Sequence, residues 1–154
     1  MAKMDRDEYF MRIASVTALR GTCDRRQVGA VLVSNDRILS TGFNGAPRDM
    51  PECIEVGHMM EHGHCVRTIH AEANAIGWVG AEKLRDLVQR SDVTLYTTTS
   101  PCMGCMNQII NAHLQRIIYG ERYSDPSHQT DKASYASEAA RELGIFMQSF
   151  RLGG

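Results

Sequence analysis

No stretch of this sequence approaches the roughly 18 consecutive apolar residues that a membrane-spanning helix needs. A membrane partner is therefore not expected. A secretory leader is not expected either, because Met1-Ala-Lys-Met-Asp-Arg-Asp-Glu8 is charged and holds no apolar core. The expected address is intracellular, in the cytoplasm. Charge of one sign is also lacking: 17 Lys and Arg stand against 18 Asp and Glu, a net charge of −1. That balance lacks the basic footprint of a nucleic-acid-binding domain, so no polynucleotide partner is expected. There is no internal repeat, low-complexity tract or linker, and 154 residues suit one domain with an ordinary core. What the chain does hold is five Cys and six His. An odd count prevents complete disulfide pairing within one chain. Without a leader, metal or thiol chemistry is the stronger reading.

Hydrophobic periodicity places the elements. Residues 4–20 carry apolar positions on a helical period, and the helix is expected to end at Gly21. Residues 28–33 and 37–41, separated by Asn35-Asp36, predict a hairpin of two buried strands. Residues 42–69 have no period and are broken by Gly42, Gly45, Pro47, Pro51, Gly57 and Gly63. So long a loop is functional or is held by something other than a core. A helix is predicted from His70 to about Gln89, interrupted near Gly77 and Gly80. Then come a strand over 93–98, a helix over 102–113, a third buried strand over 116–119, a helix over 131–143 and a last strand over 145–148. Alternating strands and helices predict one α/β domain, its mixed or parallel sheet covered by helices.

The chemistry lies at two predicted helix starts. His70-Ala-Glu72 opens one helix and Pro101-Cys102-Met-Gly-Cys105 opens another. Two cysteines spaced by two residues can bring both sulfurs to one metal, and a helix N-terminus favours the thiolate form. With one imidazole added, zinc has three protein ligands and a fourth position open to water, the mark of a catalytic site. Glu72 stands two residues from His70, close enough to accept a proton from that water. The alternative is a closed structural site with Cys23, Cys53 or Cys65 as fourth ligand, which would leave Glu72 as an ordinary helix-start carboxylate. The combination His-x-Glu … Pro-Cys-x-x-Cys is the signature of zinc deaminases.

On these residues the chain resembles the cytidine deaminase superfamily, and within it the deoxycytidylate (dCMP) deaminases. The marks are Val28-Gly-Ala-Val31, Thr41-Gly-Phe-Asn-Gly-Ala-Pro47, His70-Ala-Glu-Ala-Asn-Ala-Ile76 and Ser100-Pro-Cys-Met-Gly-Cys105, within a likeness covering about residues 5–148. The resemblance implies a three-layer α/β fold with a central mixed five-stranded sheet flanked by helices. It implies hydrolysis of dCMP to dUMP and ammonia by attack of a zinc-activated water on C4. Glu72 would take the water's proton and deliver protons to N3 and the leaving amine. Cytosine would slot between His70 and Val28, with backbone groups of Ala71 and Ser100 reading its amide edge and Asn44 on the sugar hydroxyl. A monophosphate needs cationic or hydroxyl donors. Arg25 and Arg26 are the candidates, with Tyr123 further along.

Gly42-Phe-Asn-Gly45 resembles the family's Gly-Tyr-Asn-Gly stretch, with Phe43 in place of Tyr. There the stretch serves nucleotide and regulatory binding, which implies activation by dCTP and inhibition by dTTP, with Mg2+ accompanying the effector. A homo-oligomer, a hexamer, is implied as well. Some phage relatives carry a second, structural zinc, and Cys23 and Cys53 match two of its thiolate positions. A closed metal site could order the 42–69 loop, which has little apolar surface to bury. Its expected ligands are Cys23, Cys53, Cys65 and either His58 or His64, with His62 behind. Two rivals remain at this stage: a deaminase of free nucleosides, guanine or RNA bases, and a non-catalytic nucleotide sensor. An intact Glu72 speaks against the sensor.

Overall fold

The computed structural model describes residues 1–121 and 132–153. Its first helix, α1 (Arg6–Ala18), starts where the Asp5 carboxylate accepts hydrogen bonds from the backbone of Asp7 and Glu8, satisfying two otherwise unpaired N–H groups. Strands β1 (Gly29–Ser34) and β2 (Arg37–Phe43) follow. Asn35 and Asp36 join them at φ 49° and 60°. Two left-handed residues make the tight turn whose twist matches a hairpin, and Asn and Asp tolerate it best.

Beyond the hairpin lie α2 (Cys53–Val56), the short strands β3 (Met60–Glu61) and β4 (His64–Cys65), then α3 (Ala71–Val79), α4 (Ala81–Val88) and β5 (Val93–Thr99). The chain continues with α5 (Met103–Asn111), β6 (Arg116–Glu121), α6 (Lys132–Leu143) and β7 (Phe146–Ser149). Five strands form one mixed sheet in the order β2-β1-β5-β6-β7. The β1–β2 and β1–β5 pairs are antiparallel, whereas β5–β6 and β6–β7 are parallel.

Strand alternation divides the buried residues between the two faces of this sheet. Ala30, Leu32, Leu95 and Ile117 pack with Ala75, Leu84, Met106, Ile109 and Ala140 from the helices α3–α6. Their neighbours Val31, Val33, Tyr96 and Ile118 pack with Phe10, Met11 and Ala14 of α1. The result is the expected α/β fold, a mixed five-stranded sheet flanked by helices. Two glycines let the helices touch the hairpin backbone. A Cβ at Gly29 would lie 2.0 Å from the Ala14 carbonyl oxygen, and one at Gly42 would lie 2.1 Å from that of Ala71. Gly42 therefore seats the first turn of α3, which carries Glu72.

Three expectations change. Strand β1 is buried throughout, but β2 is an edge strand with most of its side chains exposed or half-buried. The loop 42–69 contains α2 and the β3–β4 hairpin, which turns through His62 and Gly63 at φ 49° and 80°. The predicted helix over 70–89 is two helices: Gly80, at φ 92°, ends α3 and opens α4, while Gly77 stays inside α3. Among the described residues no helix is long and apolar enough to cross a membrane. Tyr123, a candidate for the substrate phosphate, lies outside the described residues.

Candidate active site

The starts of α3 and α5 converge. His70 is the residue immediately before α3, and Cys102 holds the same position before α5. His70 Nδ1 lies 3.4 Å from Cys102 Sγ and 3.4 Å from Cys105 Sγ. Ligand atoms of the three residues all fall within 4.8 Å of one another. Hydrogen bonding from Cys105, with help from His70 and against the effect of burial, holds the Cys102 thiol down at about 4. Cys105 is pushed well above the usual range by that neighbouring sulfur and by burial. His70 is raised by its hydrogen bond with Cys102. A thiolate at Cys102, with an imidazole and a second sulfur beside it, is a donor set that suits Zn2+.

Glu72 is 4% exposed, and burial raises its carboxyl above the ordinary range. The Cys105 thiol donates to its Oε2 at 3.7 Å, and the Thr97 hydroxyl lies 3.4 Å from its Oε1. A buried carboxyl with a raised pKa, beside a three-donor metal cluster, is equipped to take and return a proton. No cysteine of the 23, 53 and 65 set joins this cluster as a fourth ligand.

Those three cysteines gather elsewhere. Ligand atoms of Cys23, Cys53, His58 and Cys65 lie within 4.8 Å of one another. Cys53 and Cys65 sulfurs are 3.4 Å apart, and Cys23 Sγ is 3.5 Å from His58 Nδ1. The other ring nitrogen of His58, Nε2, lies 3.0 Å from Asp24 Oδ1. Burial pushes Cys53 up to about 12. Cys65 is lowered to about 6 because hydrogen bonds from the backbone at Arg67 and Met59 and from Cys53 outweigh its burial. Of the candidate histidines, His58 joins this group; His62 sits at the hairpin turn and His64 in β4, and neither belongs to it.

The remaining candidates surround the first cluster in different ways. Asn44 is buried, and its carboxamide already spans a backbone gap: Oδ1 accepts from Val28 N–H at 2.8 Å and Nδ2 donates to the Arg26 carbonyl at 2.6 Å. It thereby fixes Arg26 to Val28, leaving one hydrogen and one lone pair for anything else. Val28 is half-buried and Ala71 and Ser100 are buried, and the Ser100 N–H donates to the Glu121 carbonyl at 2.7 Å. Arg25 reaches the Gly63 carbonyl at 3.4 Å. Phe43 lies under the Arg20 guanidinium at 5.9 Å, and Gly45 pairs with Ile69 through two backbone hydrogen bonds. Sequence reasoning gave no role to Asp24, Asn74 or Thr97. Asn74 stood within the His70–Ile76 motif without a role of its own, and Thr97 is a hydroxyl following Val93 and Leu95 on one face of β5.

Fold and site together define a zinc-binding deaminase. Residues 4–121 match the cytidine and deoxycytidylate deaminase zinc-binding region, and the chain belongs to that family. It is 36% identical over 131 residues to the deoxycytidylate deaminase of Mycobacterium phage D29, covering 77% of this chain and 97% of the phage protein. It is 34% identical over 152 residues to ComE operon protein 2 of Bacillus subtilis strain 168, covering 99% of this chain and 75% of that protein. Its fold is similar to that of the dCMP deaminase of cyanophage S-TIM5, solved in complex with dCMP and dUMP. That likeness has a TM-score of 0.73 at 24% identity, over 97% of this chain and 100% of the other.

Proposed function

We propose that this chain is a deoxycytidylate deaminase, acting as a single domain over residues 1–154, that hydrolyses dCMP to dUMP and ammonia. The observation that carries this reading is the buried Glu72 carboxyl beside the His70, Cys102 and Cys105 donors. Zn2+ bound by those three residues supplies Lewis-acid activation of water, lowering its pKa to about 7. The chain's own residues do the rest. Glu72 accepts one proton from the attacking water and passes it to N3, then accepts the second from the new C4 hydroxyl and gives it to the departing amine. The C4–N bond breaks as the C4–O bond is completed, and the products are the uracil base and ammonia. Burial keeps the carboxyl's proton affinity high enough for it to donate as well as accept. Val28 and His70 flank the base, Ala71 and Ser100 offer backbone groups to its edge, and Asn44 turns its spare amide hydrogen toward the sugar. Arg26, with Arg25 and Tyr123, serves the phosphate. The deoxycytidylate deaminase of phage D29 supports the choice of substrate.

Cys23, Cys53, Cys65 and His58 hold a second, structural Zn2+ in the same reading. Four donors close a tetrahedral site, and Asp24 behind His58 is the outer partner that a metal-bound imidazole usually has. Residues Gly42, Phe43, Asn44 and Gly45 contribute to a regulatory nucleotide site, with dCTP activating, dTTP inhibiting and Mg2+ on the effector's phosphates. The assembly is a homohexamer working in the cytoplasm.

A substrate panel of dCMP, CMP, deoxycytidine and a cytosine-containing oligonucleotide, each with and without dCTP and dTTP, tests this function. The highest kcat/KM is expected for dCMP, rising with dCTP and falling with dTTP. Faster turnover of deoxycytidine would overturn the phosphate assignment, and preferred turnover of the oligonucleotide would overturn the substrate class.

A further inference from the structure

Asn74 lies one turn into α3, where its backbone N–H donates to the His70 carbonyl at 2.9 Å. Its carboxamide nitrogen lies 2.8 Å from the Phe43 carbonyl oxygen and 3.4 Å from the Ile69 carbonyl oxygen. Both neighbours only accept, so the two hydrogens of Nδ2 match them and the amide orientation follows from the chemistry. Phe43 ends β2, and Ile69 directly precedes His70. Ile69 is itself joined to Gly45 by backbone hydrogen bonds of 2.8 and 3.3 Å. His70 has an extended backbone at φ −65° and ψ 153°, and its side chain makes no cap bond to α3. The direction of its ring is therefore set by the peptide that enters it, the Ile69–His70 unit whose carbonyl Asn74 holds.

We infer that Asn74 is a positioning residue of the deamination site. Its carboxamide fastens the Ile69–His70 peptide to the end of β2 and so aims His70 Nδ1 at the sulfurs of Cys102 and Cys105. This rests on the reading of those three residues as the zinc ligands of the reaction. It also gives the 42–45 stretch a mechanical path to the metal ligand, because Phe43 and Ile69 share one amide nitrogen.

Ser40 supplies the control. Its hydroxyl donates to the Ala75 carbonyl at 2.7 Å, tying the same strand to the same helix through a carbonyl other than that of Ile69. The test compares the metal-loaded wild type with Asn74→Leu, branched at the same carbon but bulkier and without donors, Asn74→Asp, which sets an acceptor against two carbonyls, and Ser40→Ala. Zinc release to a chromogenic chelator, kcat and KM for dCMP, and Tm are measured on each. The release phase missing from Cys102→Ser identifies the His70 centre. Both Asn74 variants are expected to release that zinc about 10-fold faster and to lose about 10-fold in kcat, with KM changed less than about threefold. Ser40→Ala keeps wild-type release and kcat even where its Tm falls. Wild-type release and kcat in Asn74→Leu would overturn the assignment, as would a loss confined to KM, or an equal loss in Ser40→Ala. If Asn74→Asp does not fold, Asn74→Leu decides. If the wild type does not turn over dCMP, the substrate reading fails while the release rates still test Asn74.

Discussion

The chain has two cysteine–histidine clusters, and they differ in mounting, in donor number and in what stands beside them. His70, Cys102 and Cys105 sit on the first turns of α3 and α5, two helices packed against the central sheet. Cys23, Cys53, His58 and Cys65 sit on irregular chain, the four-residue α2 and the two-residue β4. Three donors with a buried carboxyl alongside leave a coordination place and a proton carrier, which is what hydrolysis needs. Four donors whose one associated carboxylate, Asp24, is committed to the back of an imidazole leave neither. On the proposed reading the same residue types would serve chemistry where helices on the core carry them, and closure where no core is available to hold the chain.

Removing the proton carrier tests the first half of that contrast and has the largest expected effect. Glu72→Gln keeps shape and metal ligands but takes away the group that moves protons. We expect kcat to fall by about 10^2- to 10^4-fold. Zinc content, measured by mass spectrometry, should not change. Tm should hold or rise slightly, since a buried neutral amide costs less than a buried acid. Turnover surviving in this variant would erase the functional distinction between the clusters.

The second half is tested by counting metals. Two zinc ions per chain are expected in the wild type, one in Cys53→Ser, and one in His58→Ala, but two in His64→Ala. Losing the second site should lower Tm by roughly 5 °C or more, because about 1 kcal/mol moves Tm by 2–4 °C in a chain of this size. A single zinc in folded wild type would reduce the four-donor cluster to buried thiols. Loss in His64→Ala instead of His58→Ala would rebuild it around β4.

The contrast also explains what could be read from the sequence. Period-2 and period-3.6 patterns locate elements that bury a face, so β1, β5, β6 and the helices α1, α5 and α6 were legible to within a few residues. The edge position of β2 was not, since Arg37–Phe43 is apolar enough for a buried strand and only the sheet order exposes it. The structure between 42 and 69 was illegible for a different reason: strands of two residues held by a side-chain cluster leave no hydrophobic period. Ligand types at short spacing announced the three-donor site, His-x-Glu and Cys-x-x-Cys each lying within one turn. The four-donor site draws on residues 23, 53, 58 and 65, and choosing between His58 and His64 needed coordinates. Side-chain bonds to backbone, as at Asn44 and Asn74, carry no sequence pattern at all.

The smallest effect distinguishes the clusters by acidity. Alkylation by iodoacetamide requires the thiolate. With Cys102 held at about 4 and Cys65 at about 6, each lowered thiol ionises as pH rises through its own value, Cys102 first. At pH 5, in protein stripped of metal, about nine-tenths of Cys102 and about one-tenth of Cys65 would be thiolate. The more acidic sulfur is also the weaker nucleophile, by about 6- to 10-fold for this difference in acidity, which nearly cancels that ninefold advantage. Peptide mass spectrometry after brief alkylation should therefore find Cys102 and Cys65 modified to similar extents at pH 5, and Cys65 modified about 6- to 10-fold more than Cys102 at pH 7.5, where both are ionised. Cys105 and Cys53, both raised, should lag throughout. Labelling of Cys65 that does not climb relative to Cys102 between pH 5 and pH 7.5 would mean that Cys105 and the imidazole beside Cys102 do not set the first cluster apart. The contrast would then rest on donor number and on Glu72 alone.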